Sequence, residues 1–200
     1  MGLIRLLLLA VLFTPLRAQD LAMRRFDDRD GLPQSQIWAL LEDRQGFIWA
    51  GTSDGLVRFG PNGSQLFNAS NGLRAKDITG LLEDREGAIW VATQERGLSR
   101  IRGRQITSFG TGEGLQNEAV HCLAETRQGM LMAGSQRGLF RMRGERFERV
   151  PLPEPWVSSP ISSMAVDAED GLWISSKKGT LARWSGSRLD EVPLPPELSS

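Results

Sequence analysis

Cysteine is almost missing from this 200-residue chain: Cys122 stands alone, so no intrachain disulfide can form and stability has to come from a packed core. Histidine is equally scarce, occurring once at His121, with no partners at the spacing that a zinc site or a Ser-His-Asp arrangement needs. Net charge is lacking too. Lys plus Arg equals Asp plus Glu at 24 each, so no global field recruits nucleic acid or an anionic membrane. Long apolar runs are also missing. The stretch Leu6 to Phe13 follows Arg5 and leads into Thr14-Pro15 and Leu16-Arg17-Ala18. Its length falls far short of the roughly 20 residues that span a bilayer. This layout predicts a secretory signal peptide over 1–18, and hence a periplasmic or secreted protein. Membrane anchoring is expected only if the polypeptide continues beyond residue 200. Cys122 is too far from the cleavage region to carry a lipid anchor.

What is present is repetition. The stretch IWALLEDRQGFIWAGTSDGLVRF, from Ile37 to Phe59, is spelled again as ITGLLEDREGAIWVATQERGLSRI from Ile78 to Ile101. Further copies run from Val120 to Met142 and from Ile161 to Trp184. One glycine of the frame recurs at Gly46, Gly87, Gly129 and Gly171, at intervals of 41, 42 and 42 residues. Such a period points to a repeat architecture. Within a copy, runs such as Ile78 to Glu83, Ala88 to Thr93 and Leu98 to Ile101 are short, apolar and bounded by Gly, Asp and Glu. That is strand vocabulary, too short for helices. Asp43 with Gly46, and Asp84 with Gly87, match the first and fourth positions of a type I turn. A fourth short run closes each unit. The sequence therefore predicts an all-β fold, a β-propeller of four-stranded antiparallel blades with about four blades in this chain. The blades are expected at approximately 37–67, 78–109, 119–150 and 161–192 within a propeller region 19–200, with an orphan outer strand at 21–26. That surplus strand makes a truncated or split chain the favoured expectation, because sheet edges in a propeller need partners. The junctions carry Gly-Leu pairs at Gly31, Gly72 and Gly114. The fourth junction, Pro151 to Pro160, is built on prolines instead.

Positions that repeat serve what all blades share. The tryptophan column Trp49, Trp90 and Trp173 is expected to pack between sheets, and the pairs Glu42-Asp43 and Glu83-Asp84 to form turns. Positions that vary are more informative. The second residue of each first strand reads Trp38, Thr79, His121 and Ser162, at the entry to the central channel, where a ligand would be read. The next column, Ala39, Gly80, Cys122 and Ser163, is small, as crowding at an axis requires. Links between second and third strands carry Arg96, Arg137, Lys177 and Lys178, and the junctions add Arg74 and Lys76. These could form a cationic rim for an anionic ligand, although Asp54, Glu95 and Glu118 blunt the field. The ligand-binding candidates are Trp38, Arg74, Arg96, His121, Arg137 and Lys178. No catalytic residue, metal site or cofactor is expected.

The stretch DGLPQSQIWALLEDRQGFIWAGTSDGLVRF, with its Gly-Leu-Pro junction, Glu-Asp pair, Gly-x-x-Trp, Thr and Gly-Leu-x-Arg, resembles the two-component regulator propeller repeat, and the likeness runs from about residue 24 to 184. The third copy departs from it at Met132 and at Glu125-Thr126, the fourth at Thr180. The resemblance implies a sensor region of periplasmic histidine kinases or diguanylate cyclases, part of a larger, for example seven-bladed, ring. It implies a small-molecule or oligosaccharide ligand, and C-terminal signalling domains or a partner chain to receive the signal. A homodimer is a further open assembly, and nucleic acid is not an expected partner. The chain itself is expected not to be an enzyme, since kinase and cyclase motifs are absent from it. The alternatives are a propeller enzyme of the streptogramin-lyase type, for which His121 would be the acid–base group, and a protein-docking scaffold.

Overall fold

The computed structural model describes residues 25–73, 76–115 and 119–193. It contains four antiparallel sheets of four strands, each in simple meander order. The first blade holds β1 (Ile37–Glu42), β2 (Ile48–Thr52), β3 (Gly55–Gly60) and β4 (Gly63–Phe67). The second holds β5 (Ile78–Glu83), β6 (Ile89–Thr93), β7 (Leu98–Arg102) and β8 (Gln105–Phe109). The third holds β9 (Val120–Glu125), β10 (Leu131–Ser135), β11 (Gly138–Arg143) and β12 (Arg146–Arg149). The fourth holds β13 (Ile161–Val166), β14 (Leu172–Ser176), β15 (Leu181–Trp184) and β16 (Leu189–Val192). The expected all-β propeller blades are thus present. The expected signal peptide and most of the orphan strand lie outside the described residues, while Arg25 and Phe26 are in no strand. First strands run side by side, β1 against β5, β5 against β9 and β9 against β13. No contact of that extent joins β13 to β1 among the described residues, so the blades form an arc.

The faces of successive sheets bury one another, because a four-stranded sheet cannot cover its own apolar faces. The face of the second blade bearing Trp90, Ala92, Leu98 and Phe109 packs on Val120, Leu131, Ala133, Phe140 and Phe147 of the third. The same arrangement joins the first blade to the second and the third to the fourth. Each innermost cross-strand pair is small: Ala39 faces Gly51, Gly80 faces Ala92, Cys122 faces Gly134 and Ser163 faces Ser175. The reason is the neighbour. A Cβ on Gly51 would meet Ile78 Cγ2 of the next blade at 2.5 Å, and one on Gly134 would meet Ile161 Cγ2 at 2.8 Å.

The Gly-Leu junctions have one job. A 3-10 turn (Thr111–Glu113) ends at Gly114 with φ of 101°, and the chain then buries Leu115 completely in the core between the second and third blades. Gly72 and Leu73 repeat this one blade earlier. At the proline-built junction, the buried indole of Trp156 enters the core between the third and fourth blades instead.

The tryptophan column and the turn carboxylates prove to be one device. Trp49 Nε1 donates to Asp43 Oδ2 at 2.7 Å, Trp90 Nε1 to Asp84 Oδ2 at 2.8 Å and Trp173 Nε1 to Asp167 Oδ2 at 2.9 Å. The other oxygen of each carboxylate accepts two turn amides, from Glu86 at 3.0 Å and Ala88 at 2.9 Å in the second blade. Each aspartate therefore closes the hairpin and pins an indole, which in the first and second blades fills the interface with the next blade.

Candidate functional site

The site grows from an irregularity shared by all four blades. The pairing of first and second strands slips by one residue between Ile37 and Ala39, between Ile78 and Gly80, opposite Gly134 and Ser135, and between Ile161 and Ser163. The unpaired residue in each case is Trp38, Thr79, His121 or Ser162. A bulge leaves one residue out of the ladder and re-aims its side chain. The four variable residues are thereby turned toward one place.

They meet at a cavity of about 470 Å³ lined by Trp38, Asp77, Ile78, Thr79, Gln94, His121, Ser162 and Lys177. Three of the four are backed by a partner from the same blade, two from the links between second and third strands and one from the second strand itself. Trp38 Nε1 donates to Ser53 Oγ at 3.2 Å, and His121 Nε2 lies 3.2 Å from Gln136 Oε1, to which it donates. Ser162 Oγ lies 2.9 Å from Ser175 Oγ. The links are held in place by the junctions. The amides of Gln94, Gln136 and Lys177 donate to the carbonyls of Asp77, Ala119 and Pro160 at 3.0, 2.9 and 3.1 Å. Asp77 adopts φ of 51°, a left-handed conformation that non-glycine residues seldom take, and its amide donates to Ser53 O at 3.1 Å.

Chemically the mouth is mixed. Trp38 is 58% exposed and offers an indole face, Thr79 and Ser162 offer hydroxyls, and Gln94 an amide. Asp77 and Lys177 are the two charged residues of the lining. Partial burial lowers the pKa of His121, assisted by the nearby Lys177 ammonium and opposed by the hydrogen bond to Gln136, so the imidazole is neutral at pH 7. Behind it, burial pushes the Cys122 thiol up to about 12, leaving it protonated and unreactive. Among the described residues no group of three or more His, Cys, Asp or Glu side chains is placed to hold a metal ion.

Of the residues expected from sequence, Trp38 and His121 come together here. Arg96, Arg137 and Lys178 are exposed on the links and do not line the cavity, and Arg74 lies outside the described residues. Their link neighbours Gln94 and Lys177 take the lining positions. Lys177 was read from the sequence as part of a cationic rim, whereas Gln94 and Asp77 were not singled out. The bulge did leave one signal: Ile78 and Leu81, three residues apart, pack in the same core cluster, which strict alternation forbids.

Residues 31–54 and 72–95 match the family model described as two component regulator propeller. No curated protein sequence matches the chain. Among solved structures, virginiamycin B lyase from Staphylococcus aureus superposes with a TM-score of 0.68 at 14% identity, over 82% of this chain and 57% of that one. The extracellular domain of a hybrid two component system from B. thetaiotaomicron superposes with a TM-score of 0.65 at 21% identity, over 77% of this chain and 22% of that one. A second such extracellular domain gives 0.64 at 20% identity, over 85% of this chain and 23% of that one. The likeness to these structures is one of fold, and this chain spans little more than half of the lyase and less than a quarter of either extracellular domain. Two repeats of the chain thus match the two component regulator propeller model directly, and their frame is carried through all four blades.

Proposed function

We propose that the chain is a sensory, ligand-binding propeller of a two-component or cyclic-di-GMP signalling system, working outside the cytoplasm and without catalysis of its own. The observation that carries this reading is the contrast between frame and mouth. The Trp–Asp device, the Gly-Leu junctions and the small inner pairs repeat, whereas the four bulge residues that share one cavity are all different. Repetition builds the scaffold and variation reads the ligand. The exposed indole beside hydroxyls and an amide suits a sugar ring, which stacks its apolar face and hydrogen-bonds at its rim. With one carboxylate and one ammonium in the lining, the mouth favours a neutral or zwitterionic small molecule or oligosaccharide. The extracellular domains of hybrid two component systems that share the fold support the location and the role. Output then rests on signalling domains or a partner chain. Occupancy transmits a signal to the extent that two arrangements of the blades bind the ligand unequally.

The test is a fluorescence titration against a panel of neutral and uronic-acid oligosaccharides. A binding sugar shifts emission in the parent chain. Trp38→Ala abolishes the response while the melting temperature stays unchanged. A panel with no response up to millimolar concentration overturns the reading.

A second reading has one specific observation behind it. A catalytically inactive histidine-to-alanine variant of virginiamycin B lyase shares this fold, and the one histidine here, His121, is neutral and faces the cavity. Turnover of a streptogramin B lactone by this chain, lost in His121→Ala, would establish the enzyme instead.

A further inference from the structure

Two columns of the repeat meet at the rim of the cavity, and each carries a single charge. The residues that precede the first strands read Gln36, Asp77, Ala119 and Pro160, and those that open the links between second and third strands read Ser53, Gln94, Gln136 and Lys177. Backbone hydrogen bonds tie one column to the other, from Gln94 to Asp77, from Gln136 to Ala119 and from Lys177 to Pro160, so both are anchored. Only Asp77 and Lys177 in these columns are ionisable. They have opposite signs, and both line the cavity.

Elsewhere charges on neighbouring blades find one another, as Arg85 does Glu125 at 3.1 Å and Arg100 does Glu145 at 3.0 Å. Asp77 and Lys177 do not. Among the described residues neither side chain makes a hydrogen bond or an ion pair, so their charged ends stand more than 4.0 Å apart. The arc enforces the separation: Asp77 stands at the start of the second blade and Lys177 in the fourth, with the third blade and its His121 between them.

The surroundings of each charge define what it receives. Ser53 builds one corner, accepting the Trp38 indole N–H on Oγ at 3.2 Å and the Asp77 amide on its carbonyl at 3.1 Å. An exposed indole beside a free carboxylate suits an ammonium group, which the ring quadrupole and the carboxylate attract together. On the other side the Lys177 ammonium stands near the His121 imidazole, with the Ser162 hydroxyl in the same lining, and this side suits an anion. Asp77 is fixed by a short side chain on an anchored backbone, whereas the four-carbon stem of Lys177 lets its charge follow the ligand.

We propose that the ligand is a zwitterion, an amino sugar bearing a carboxylate, with its ammonium between Trp38 and Asp77 and its carboxylate on Lys177. The proposal rests on the reading of the cavity as a ligand-binding mouth and narrows it. A neutral sugar leaves both charges unanswered, and a sugar with one charge is attracted at one side and repelled at the other.

The test uses four related sugars: muramic acid with free amine and carboxylate, glucosamine with the amine, N-acetylmuramic acid with the carboxylate, and N-acetylglucosamine with neither. Dissociation constants are read from tryptophan fluorescence of the full chain below about pH 7, where a sugar amine is protonated. Muramic acid should bind about tenfold more tightly than either singly charged sugar. Asp77→Asn keeps the backbone, since asparagine accepts the φ of 51° found there, and should bring the affinity ratio of muramic to N-acetylmuramic acid close to one. Lys177→Gln should do the same for the ratio of muramic acid to glucosamine. If muramic acid binds no better than N-acetylglucosamine, or if both ratios survive the substitutions, the zwitterion assignment is overturned while the sensory mouth stands. Silence from all four sugars up to millimolar concentration also overturns the assignment, and the mouth falls with it only when the neutral and uronic-acid panel is silent too.

Discussion

The second and third blades are neighbours with the same strand order, yet only one of them has the indole–carboxylate bond. In the second, Trp90 donates to Asp84, which also closes the turn. In the third, Met132 is fully buried in place of the tryptophan, and Thr126 stands in for the aspartate, its Oγ1 accepting the Met130 amide at 3.1 Å. Both halves of the pair have changed together. A buried carboxylate oxygen with no donor is costly, while replacing both partners by groups that satisfy themselves is nearly neutral. The adaptable thioether fills the interface, and the hydroxyl keeps the turn. The comparison teaches that the two columns are one structural unit, retained or abandoned as a pair.

The strongest way to break this comparison is Trp90→Ala. The indole lies 5.1 Å from Phe109 and 6.3 Å from Phe147 between ring centroids, so its removal opens a cavity between two blades and strands Asp84. The expected cost is about 3–5 kcal/mol in urea unfolding. A loss below about 1 kcal/mol would mean that the interface relaxes freely and that the column is not its keystone. A sharper version rebuilds the third blade inside the second. Trp90→Met alone should cost about 1–3 kcal/mol, much of it from the unpartnered carboxylate. Adding Asp84→Thr should recover part of that loss, giving a coupling of about 0.5–3 kcal/mol in the double-mutant cycle. Strict additivity would break the claim that the pair is a unit.

Much of this was legible in the chain because it lies within one period. The 41- and 42-residue intervals, the turn aspartates and the tryptophan column announce four-stranded blades, and the family likeness follows from the same residues. The bond between the columns was less visible. Asp84 and Trp90 are six residues apart on opposite arms of a hairpin, and only the folded turn brings their side chains together. The Arg44–Glu83 clasp was hidden by distance, since its partners are 39 residues apart and each looks like ordinary surface charge. At the mouth, Trp38 and His121 stood out by differing from their repeat partners. Of the link cations, Lys177 lines the cavity, whereas Lys178 and Arg96, one and two residues from the lining positions of Lys177 and Gln94, do not, because a shift of one or two residues along the link re-aims the side chain.

The fourth blade sharpens the comparison in the other direction, because its aspartate has a third class of donor. Arg183 Nε lies 2.6 Å from Asp167 Oδ2, in addition to the Trp173 indole and the turn amides. The guanidinium above all, helped by those amides and the indole and opposed by desolvation, holds the carboxyl of Asp167 well below the usual carboxylate range. A depressed carboxylate pKa stabilises the fold above the unfolded-state value near 4, and that contribution is lost as pH falls through the folded value. Stability should therefore decline progressively below about pH 5, and Arg183→Met should flatten that acid limb while lowering the plateau near neutrality. An acid limb unchanged in Arg183→Met would assign the effect to other carboxylates.

The smallest expected differences are among the interblade clasps, and they extend the comparison around the arc. Arg44 and Arg85 engage the next blade with both backbone amide and guanidinium, so alanine at either position removes an ion pair that is half solvent-exposed on the arginine side. Each change should cost about 0.2–1 kcal/mol and lose much of its effect at high salt. At Arg127 the bond to Asp170 comes from the backbone amide, which alanine retains. Arg127→Ala should therefore fall below either of the others. Equal costs at all three positions would show that the backbone amide, and not the guanidinium, does the joining.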